Sequence, residues 1–425
     1  MKHKQKRPIA IDLFAGAGGL SLGFEQAGFD VKAAVEIDPV HAAVHKFNFP
    51  YCIVLPCSIT ELSGKEIRER TGIGNQNIET IISGSPCQGY SYMGSKILDD
   101  PRNFLIKEFV RVVLELEPSY FIFENVKGLT ANKYKCFLYE LIKTFTENGY
   151  QLRLPWKVLN AAYYGVPQKR ERLFLIGAKK GCVLPEYPTP CSQPLSATLV
   201  DSILPFTPSC RDALGDLPEA EEFEELLYSD CVETEKWSNP SSYGREMRCL
   251  DHRSWHFGYR RIWNPLVLTS SLRTNHSPIT RARFQVTGQG KKEPISRFFK
   301  LAENGISNTL RAGTDATHGA HTSPRPIHYS KPRCITVREM ARLHGFPDWF
   351  RFHITKWHGA RQVGNSVPPP LARAIGSEIM KCLGITSTTP EEILELGDPK
   401  LLSMKMKQAT NYWQCAVPIK HIINV

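Results

Sequence analysis

Over its first 180 residues the chain alternates short apolar runs with amphipathic stretches of helical period. That is the rhythm of repeated βαβ units feeding a mostly parallel sheet. The pattern predicts strands at Ile9–Leu13, Val31–Glu36, Tyr51–Leu55, Glu79–Ser83, Tyr120–Glu124, Lys157–Asn160 and Arg172–Gly177. Helices are predicted between them at Leu20–Ala27, Pro39–Asn48, Arg102–Leu116 and Lys135–Glu147. After Gly181 the texture changes, because Pro185, Pro188, Pro190, Pro194, Pro205 and Pro208 cut the chain into short pieces and no regular alternation resumes before Thr336. Helical patterns return at Thr336–Leu343 and at Pro368–Leu383, where prolines in the first turn cost little because those N–H groups lack partners anyway. A last helix is predicted to begin at Thr389-Pro390-Glu391-Glu392. The α/β domain then occupies residues 1–181, an irregular domain 182–355, a return to the first domain 356–384, and a C-terminal extension 385–425.

Composition adds little to this until charge is located. Apolar residues make up 42% of the 425 and charged residues 22%, an ordinary globular balance. Lys and Arg exceed Asp and Glu by 53 to 42, and +11 favours an anionic partner, nucleic acid before a membrane surface. From Ser241 to Lys300 stand 12 basic and 3 acidic residues, preceded by an acidic stretch from Asp216 to Lys236 with 9 acidic residues and 1 basic one. The basic window is expected to face the anionic partner. The basic start, Met1 to Arg7, imitates a signal peptide, but Asp12 and three glycines break its apolar run. No stretch is long and apolar enough to suggest a membrane span. The 12 cysteines, dispersed and without a C-x-x-C pair, suit reduced thiols and a cytoplasmic protein. His41/His45, His252/His256 and His318/His321 lack a matching second cluster, so no metal is expected.

Candidate chemistry gathers at strand ends. Asp12-Leu-Phe-Ala-Gly16-Ala-Gly18-Gly19-Leu20 follows the first strand, and Glu36 ends the second. A tight glycine turn admits a ligand to the backbone, and a carboxylate some 20 residues on can accept ribose hydroxyls. Ser21 at the third glycine position removes the reason to expect a pyrophosphate, leaving room for another adenosine cofactor. Ser83-Gly-Ser-Pro86-Cys87-Gln88-Gly89 leaves the fourth strand, placing a thiol where ligands of parallel sheets bind. Glu124 ends the fifth, so that Cys87 and Glu124 can share one sheet edge with the glycine turn.

With Gln168-Lys-Arg170-Glu-Arg172 and Gln362-Val-Gly364-Asn365-Ser366-Val367-Pro368 added, the ordered motifs resemble those of the DNA (cytosine-5) methyltransferases of bacterial and phage type, from about residue 9 to 383. The resemblance implies a Rossmann-like sheet of the S-adenosylmethionine-dependent methyltransferase fold with a smaller, irregular target-recognition domain. It implies S-adenosylmethionine as cofactor, held by Phe14, Gly16, Gly18, Glu36, Ile37, Ser58, Ile59, Pro86, Leu105, Asn365, Ser366 and Val367. Ser58 departs from the family, which usually has an acidic residue there. Cys87 is implied as nucleophile, Glu124 as the group bonding the base at N3, Arg172 as reaching O2, and Arg170 as positioning the backbone. Gln88, Ser91, Arg102, Gln168, Thr309 and Leu310 are implied as DNA contacts. The target atom lies inside a duplex, so the base must flip out. The resemblance further implies a monomer acting on double-stranded DNA in the bacterial nucleoid, with a cognate restriction endonuclease acting separately. A tRNA methyltransferase of the same fold, disfavoured by the long recognition region, and a silent DNA-binding regulator are the alternatives.

Overall fold

The structure, a computed structural model, describes residues 6–85, 104–131, 134–195, 197, 203–314 and 322–416. Its first half runs β1 (Ile9–Leu13), α1 (Gly19–Ala27), β2 (Asp30–Val35), α2 (Pro39–Asn48), β3 (Ile53–Leu55), α3 (Gly64–Arg70), β4 (Thr80–Gly84), α4 (Phe104–Leu116), β5 (Tyr120–Val126), α5 (Lys135–Glu147), β6 (Tyr150–Leu152), β7 (Lys157–Asn160) and β8 (Glu171–Lys179). These strands form one eight-stranded sheet in the order β3-β2-β1-β4-β5-β8-β6, with β7 also on β8. β1 to β5 pair in parallel, and β8 is antiparallel to β5, β6 and β7. β1, β4 and β5 read as continuous apolar runs because helices cover both faces of the sheet. The chain winds outward from β1 to β3 and then crosses back to β4, so the topological switch lies between β1 and β4. Ligands of such sheets bind in the crevice at the strand ends there.

The predicted elements differ from the observed ones where apolar periodicity is weak. α3 buries only Gly64 and Ile67 and is held by a capping box, the Ser63 side chain accepting from the Glu66 N–H and the Glu66 side chain from that of Ser63. β6 is a three-residue strand recruited by its pairing with β8.

The second half holds α6 (Cys210–Leu214), β9 (Val232–Glu233), α7 (Ser242–Met247), β10 (Arg260–Arg261), β11 (Val267–Leu268), α8 (Pro278–Val286), α9 (Val337–His344), α10 (Lys356–Asn365), α11 (Pro369–Cys382), β12 (Ile393–Leu394) and α12 (Met406–Trp413). α11 packs along α1, and α9 lies buried in the core that also contains Phe49, Leu371 and Tyr243. The hydrophobic core is therefore continuous across the boundary expected at residue 355. The helix expected from Thr389 is absent. Thr389 instead donates its hydroxyl to the His256 carbonyl, and Ile393 and Leu394 pair with β10, so tertiary pairing overrides a local start signal.

The charge pattern also has a different meaning from the one expected. Much of the acidic stretch is neutralised within the molecule. Asp216 meets Arg342 at 3.0 Å, Glu219 meets Arg333 at 2.7 Å, Asp230 meets Arg351 at 3.0 Å, and Glu221 pairs with Arg281. Of the basic window, Arg261 is buried against Glu25 of α1 at 2.8 Å, Arg245 pairs with Asp251 at 2.8 Å, and Lys300 donates to the Phe284 carbonyl at 2.9 Å. Arg253, Lys291, Lys292 and Arg297 are exposed and carry no ion pair among the described residues. The window is thus in large part an internal cement, and only a fraction of it is available to an external anion.

Candidate active site at the sheet's switch point

Four segments converge at the C-terminal edge of β1, β4 and β5. After β1 the chain enters the glycine turn with Phe14 at φ 60°, a left-handed conformation unusual for a bulky residue. Gly16 follows at φ 55°, with nothing within 4 Å of where a Cβ would stand, so open space lies over its backbone. Gly19 is packed tightly instead, since a Cβ there would lie 2.4 Å from the Val367 carbonyl oxygen. Residues 366 and 367 therefore close directly onto the start of α1.

Glu36, just beyond β2, is buried, and its carboxylate accepts from the Gly16 N–H at 2.7 Å and the Asp38 N–H at 2.8 Å. Burial pushes its carboxyl above the ordinary range, while His41 and the two N–H donors oppose that rise. Asp38 caps α2 by accepting from Val40 at 2.9 Å. Between them Ile37 is 44% exposed, an apolar face left open beside a buried carboxylate. Phe14 and Leu105 are half-buried against one hydrophobic cluster, and Asn365 is exposed. Open backbone at Gly16, a buried carboxylate and an exposed apolar side chain fit a ribose and an aromatic base.

Three expected members of this pocket also have roles within the chain. Ile59 is buried, its side chain packed in the hydrophobic cluster that Phe14 and Leu105 also touch. Ser58 caps the turn Ile59–Glu61, accepting from the Thr60 N–H at 3.3 Å, with its hydroxyl 2.8 Å from that of Thr60. Gly18 is confined by Phe49 and His45, at 2.4 and 3.1 Å from a hypothetical Cβ, and shapes the turn rather than opening it.

Along the same edge, the β4–β5 register places Gly84 opposite Glu124. The Glu124 carboxylate lies over Gly84, 3.5 Å from where its Cβ would stand. Glu124 is buried and meets the Arg172 guanidinium at 3.0 Å. Burial raises its carboxyl above the ordinary range, with Arg172 and Arg170 pulling the other way. Asn125 donates its side-chain amide to the Ser85 carbonyl at 3.2 Å and pins the exit of β4, a role the sequence did not signal. Pro86, Cys87, Gln88, Ser91 and Arg102 lie outside the described residues.

Arg170 is fully buried and donates to the carbonyls of Leu310 at 3.1 Å, Gly364 at 2.8 Å and Ser366 at 2.9 Å. It welds β8 to two distant segments. Gln168 and Leu310, expected at DNA, are both buried. The Gln168 amide bonds the Leu343 carbonyl at 3.2 Å and His344 Nδ1 at 2.9 Å, and its oxygen accepts from the Leu310 N–H at 3.1 Å. These residues brace the site from within. Thr309 is half-buried and donates its hydroxyl to the Lys169 carbonyl at 2.7 Å. Sequence reasoning also missed the buried chain under the glycine turn, in which Ser21 Oγ lies 2.6 Å from Asp12 and 3.0 Å from His45 Nε2. Among the described residues no group of His, Cys, Asp and Glu is arranged to hold a metal, and no helix is long and apolar enough to cross a membrane.

Residues 9–381 match the family described as C-5 cytosine-specific DNA methylase. The chain belongs to that family. The Type II methyltransferase M.XorII of Xanthomonas oryzae pv. oryzae is 54% identical over 403 residues, covering 95% of this chain and 92% of that one. The Type II methyltransferase M1.HphI of Haemophilus parahaemolyticus is 32% identical over 87% of this chain and 86% of its own. A crystal structure described as a DNA modification methyltransferase encoded within a prophage of E. coli superposes with a TM-score of 0.70 at 33% identity, over 89% of this chain and 99% of that one. The S. pombe Dnmt2 methyltransferase, at 16% identity and a TM-score of 0.51, shares the fold. The chain is thus a C5 methylase, and the relatives from Xanthomonas and Haemophilus are Type II methyltransferases.

Proposed function

We propose that this enzyme transfers a methyl group from S-adenosylmethionine to C5 of a cytosine flipped out of a specific short sequence in double-stranded DNA. The observation that carries the reading is the buried Glu124, held by Arg172 over Gly84 at the strand end that leads into Cys87. The Gly16 turn, Glu36 and Ile37 hold the adenosine, with Phe14 and Leu105 beside them and Asn365, Ser366 and Val367 closing the crevice. When bound, S-adenosylmethionine supplies an electrophilic methyl group on a sulfonium.

C5 of cytosine is a poor nucleophile. The Cys87 thiolate adds to C6, and Glu124, its carboxyl raised by burial, gives a proton to N3, so that the ring becomes a neutral enamine. Arg172 donates to O2 and helps carry the charge that develops there. C5 then takes the methyl group, its proton leaves to a base, the thiolate is expelled, and N3 returns its proton to Glu124. The exposed basic residues 253, 291, 292 and 297 contact phosphates, which fix register without reading sequence.

Bisulfite sequencing of a plasmid carried by cells expressing the chain tests this reading. The expected result is protected cytosines confined to one recurring short sequence. Complete conversion at every cytosine, with methylation of tRNA by the purified protein, would transfer the assignment to the RNA-directed reading. Complete conversion with DNA binding and no methylation of either would make it a silent regulator.

A further inference from the structure

The family match ends at residue 381, yet the chain continues as an ordered strap laid along the whole of α2. It begins at the far end of α1, where Ser387 donates its hydroxyl to the Ala27 carbonyl at 2.7 Å. It crosses the irregular domain at β10, the Ile262 N–H donating to the Leu394 carbonyl at 2.9 Å. At the C-terminal end of α2 the Gly397 N–H donates to the Phe47 carbonyl at 2.9 Å. A Cβ at Gly397 would stand 2.8 Å from Phe47 Cα, so the two backbones touch. Leu401 and Leu402 are buried, and the Ile354 N–H donates to the Leu402 carbonyl at 3.0 Å. α12 then returns to the N-terminal end of α2, where the Trp413 indole N–H donates to the Pro39 carbonyl at 3.1 Å.

That end point is not an arbitrary one. Pro39 opens α2 directly after Glu36, Ile37 and Asp38. The corner is held together, because Glu36 accepts from the Asp38 N–H at 2.8 Å and Asp38 caps the helix through Val40 at 2.9 Å. On its inner side Glu36 is tied to Gly16 at 2.7 Å. Trp413 supplies the tie on the outer side.

We propose that the C-terminal strap, acting through Trp413, is a positioning element for the methyl donor: it holds the first turn of α2, and with it Glu36 and Ile37, in the geometry that receives adenosine. The proposal rests on the reading of Glu36 and Ile37 as the adenosine site. A positional error at a binding group weakens affinity without touching the chemistry. A strap that only stabilises the fold would lower the melting temperature and leave the affinity of the folded protein alone.

The test is calorimetric binding of S-adenosylhomocysteine, and of adenosine as a fragment, to the full chain and to Trp413→Ala, Trp413→Phe and, as a control on the same helix, the half-exposed Tyr412→Ala. Trp413→Ala is expected to raise both dissociation constants about tenfold, the weight of one hydrogen bond and part of a ring's packing. Trp413→Phe keeps a ring without the donor and should give a rise of a few-fold, and Tyr412→Ala none. In turnover, the KM for the donor should rise while kcat and the KM for DNA stay within about twofold. Unchanged affinity in folded Trp413→Ala overturns the proposal. If Trp413→Ala does not fold, unchanged affinity in Trp413→Phe overturns it equally. If the parent binds S-adenosylhomocysteine and Glu36→Ala binds it just as well, the adenosine-site reading fails instead.

Discussion

Glu124 combines two requirements that pull against each other: it must be buried enough to favour its protonated form, yet close enough to Arg172 to be oriented. Burial raises its carboxyl and Arg172, at 3.0 Å, restrains the rise. Because the protonated form is the one that serves N3, kcat should fall as pH rises through the pKa of Glu124. Removing Arg172 takes away a lowering influence, so in Arg172→Gln the alkaline limb should move to higher pH while the maximal rate drops by about 10²-fold or more. A limb that stays put or moves down would show that another group sets it. Glu124→Gln removes the limb altogether. Cys87→Ser should abolish transfer and leave binding of DNA and S-adenosylhomocysteine intact, whereas retained turnover would remove Cys87 as the nucleophile. Glu124 and Glu36 were legible in the sequence because a carboxylate ending a buried apolar strand is expensive unless it is used. The roles of Gln168 and Leu310 were not, since local sequence does not say that both turn inward across 142 residues to bond one another.

At the level of elements, the site depends on how closely α1 approaches the segment returning before α11. Gly19 has no room for even a methyl group, its would-be Cβ lying 2.4 Å from the Val367 carbonyl oxygen and 2.9 Å from Ser366 Cβ. Backbone cannot rotate away as a flexible side chain can. Gly19→Ala should therefore cost about 1–3 kcal/mol in urea denaturation, as overpacking does, and also weaken S-adenosylhomocysteine binding, because the displaced residues close the crevice. Gly16→Ala, with open space at its Cβ but φ at 55°, should strain the turn with no clash. Equal stability of Gly19→Ala and the parent would remove the packing argument. The βαβ series was legible because buried parallel strands are continuous apolar runs of fixed length. α3, α10 and the strap escaped because caps, glycine contacts and long-range pairing specify them, not periodicity.

For the whole molecule the question is where the charge goes. Glu339 is buried between Arg333, 2.9 Å away, and the N-terminus of its own helix, and its carboxyl is held down from 4.5 to about 2. Its contribution is complete above the unfolded value of 4.5 and disappears as pH falls from there to about 2. Over that window the parent should lose about 3 kcal/mol more than Glu339→Gln in urea denaturation. The same reasoning divides the +11 excess into charge already committed inside and charge free to meet phosphate. Arg261 and Lys300 are buried, so Arg261→Ala should destabilise the fold, by leaving the buried Glu25 without its cationic partner, and keep the salt slope of DNA binding. Lys291, Lys292 and Arg297 are exposed and unpaired among the described residues. Each of the three that sits on a phosphate should, when changed to Ala, lower the slope of log Kd against log salt by about 1. Measuring that slope for Arg261→Ala beside the triple variant separates the two populations. A slope that drops for Arg261→Ala and not for the triple variant would mean the DNA lies against another face. Basic density in a sequence counts both kinds of charge alike, and it takes internal partners such as Glu25, Glu221 and Asp251 to tell them apart.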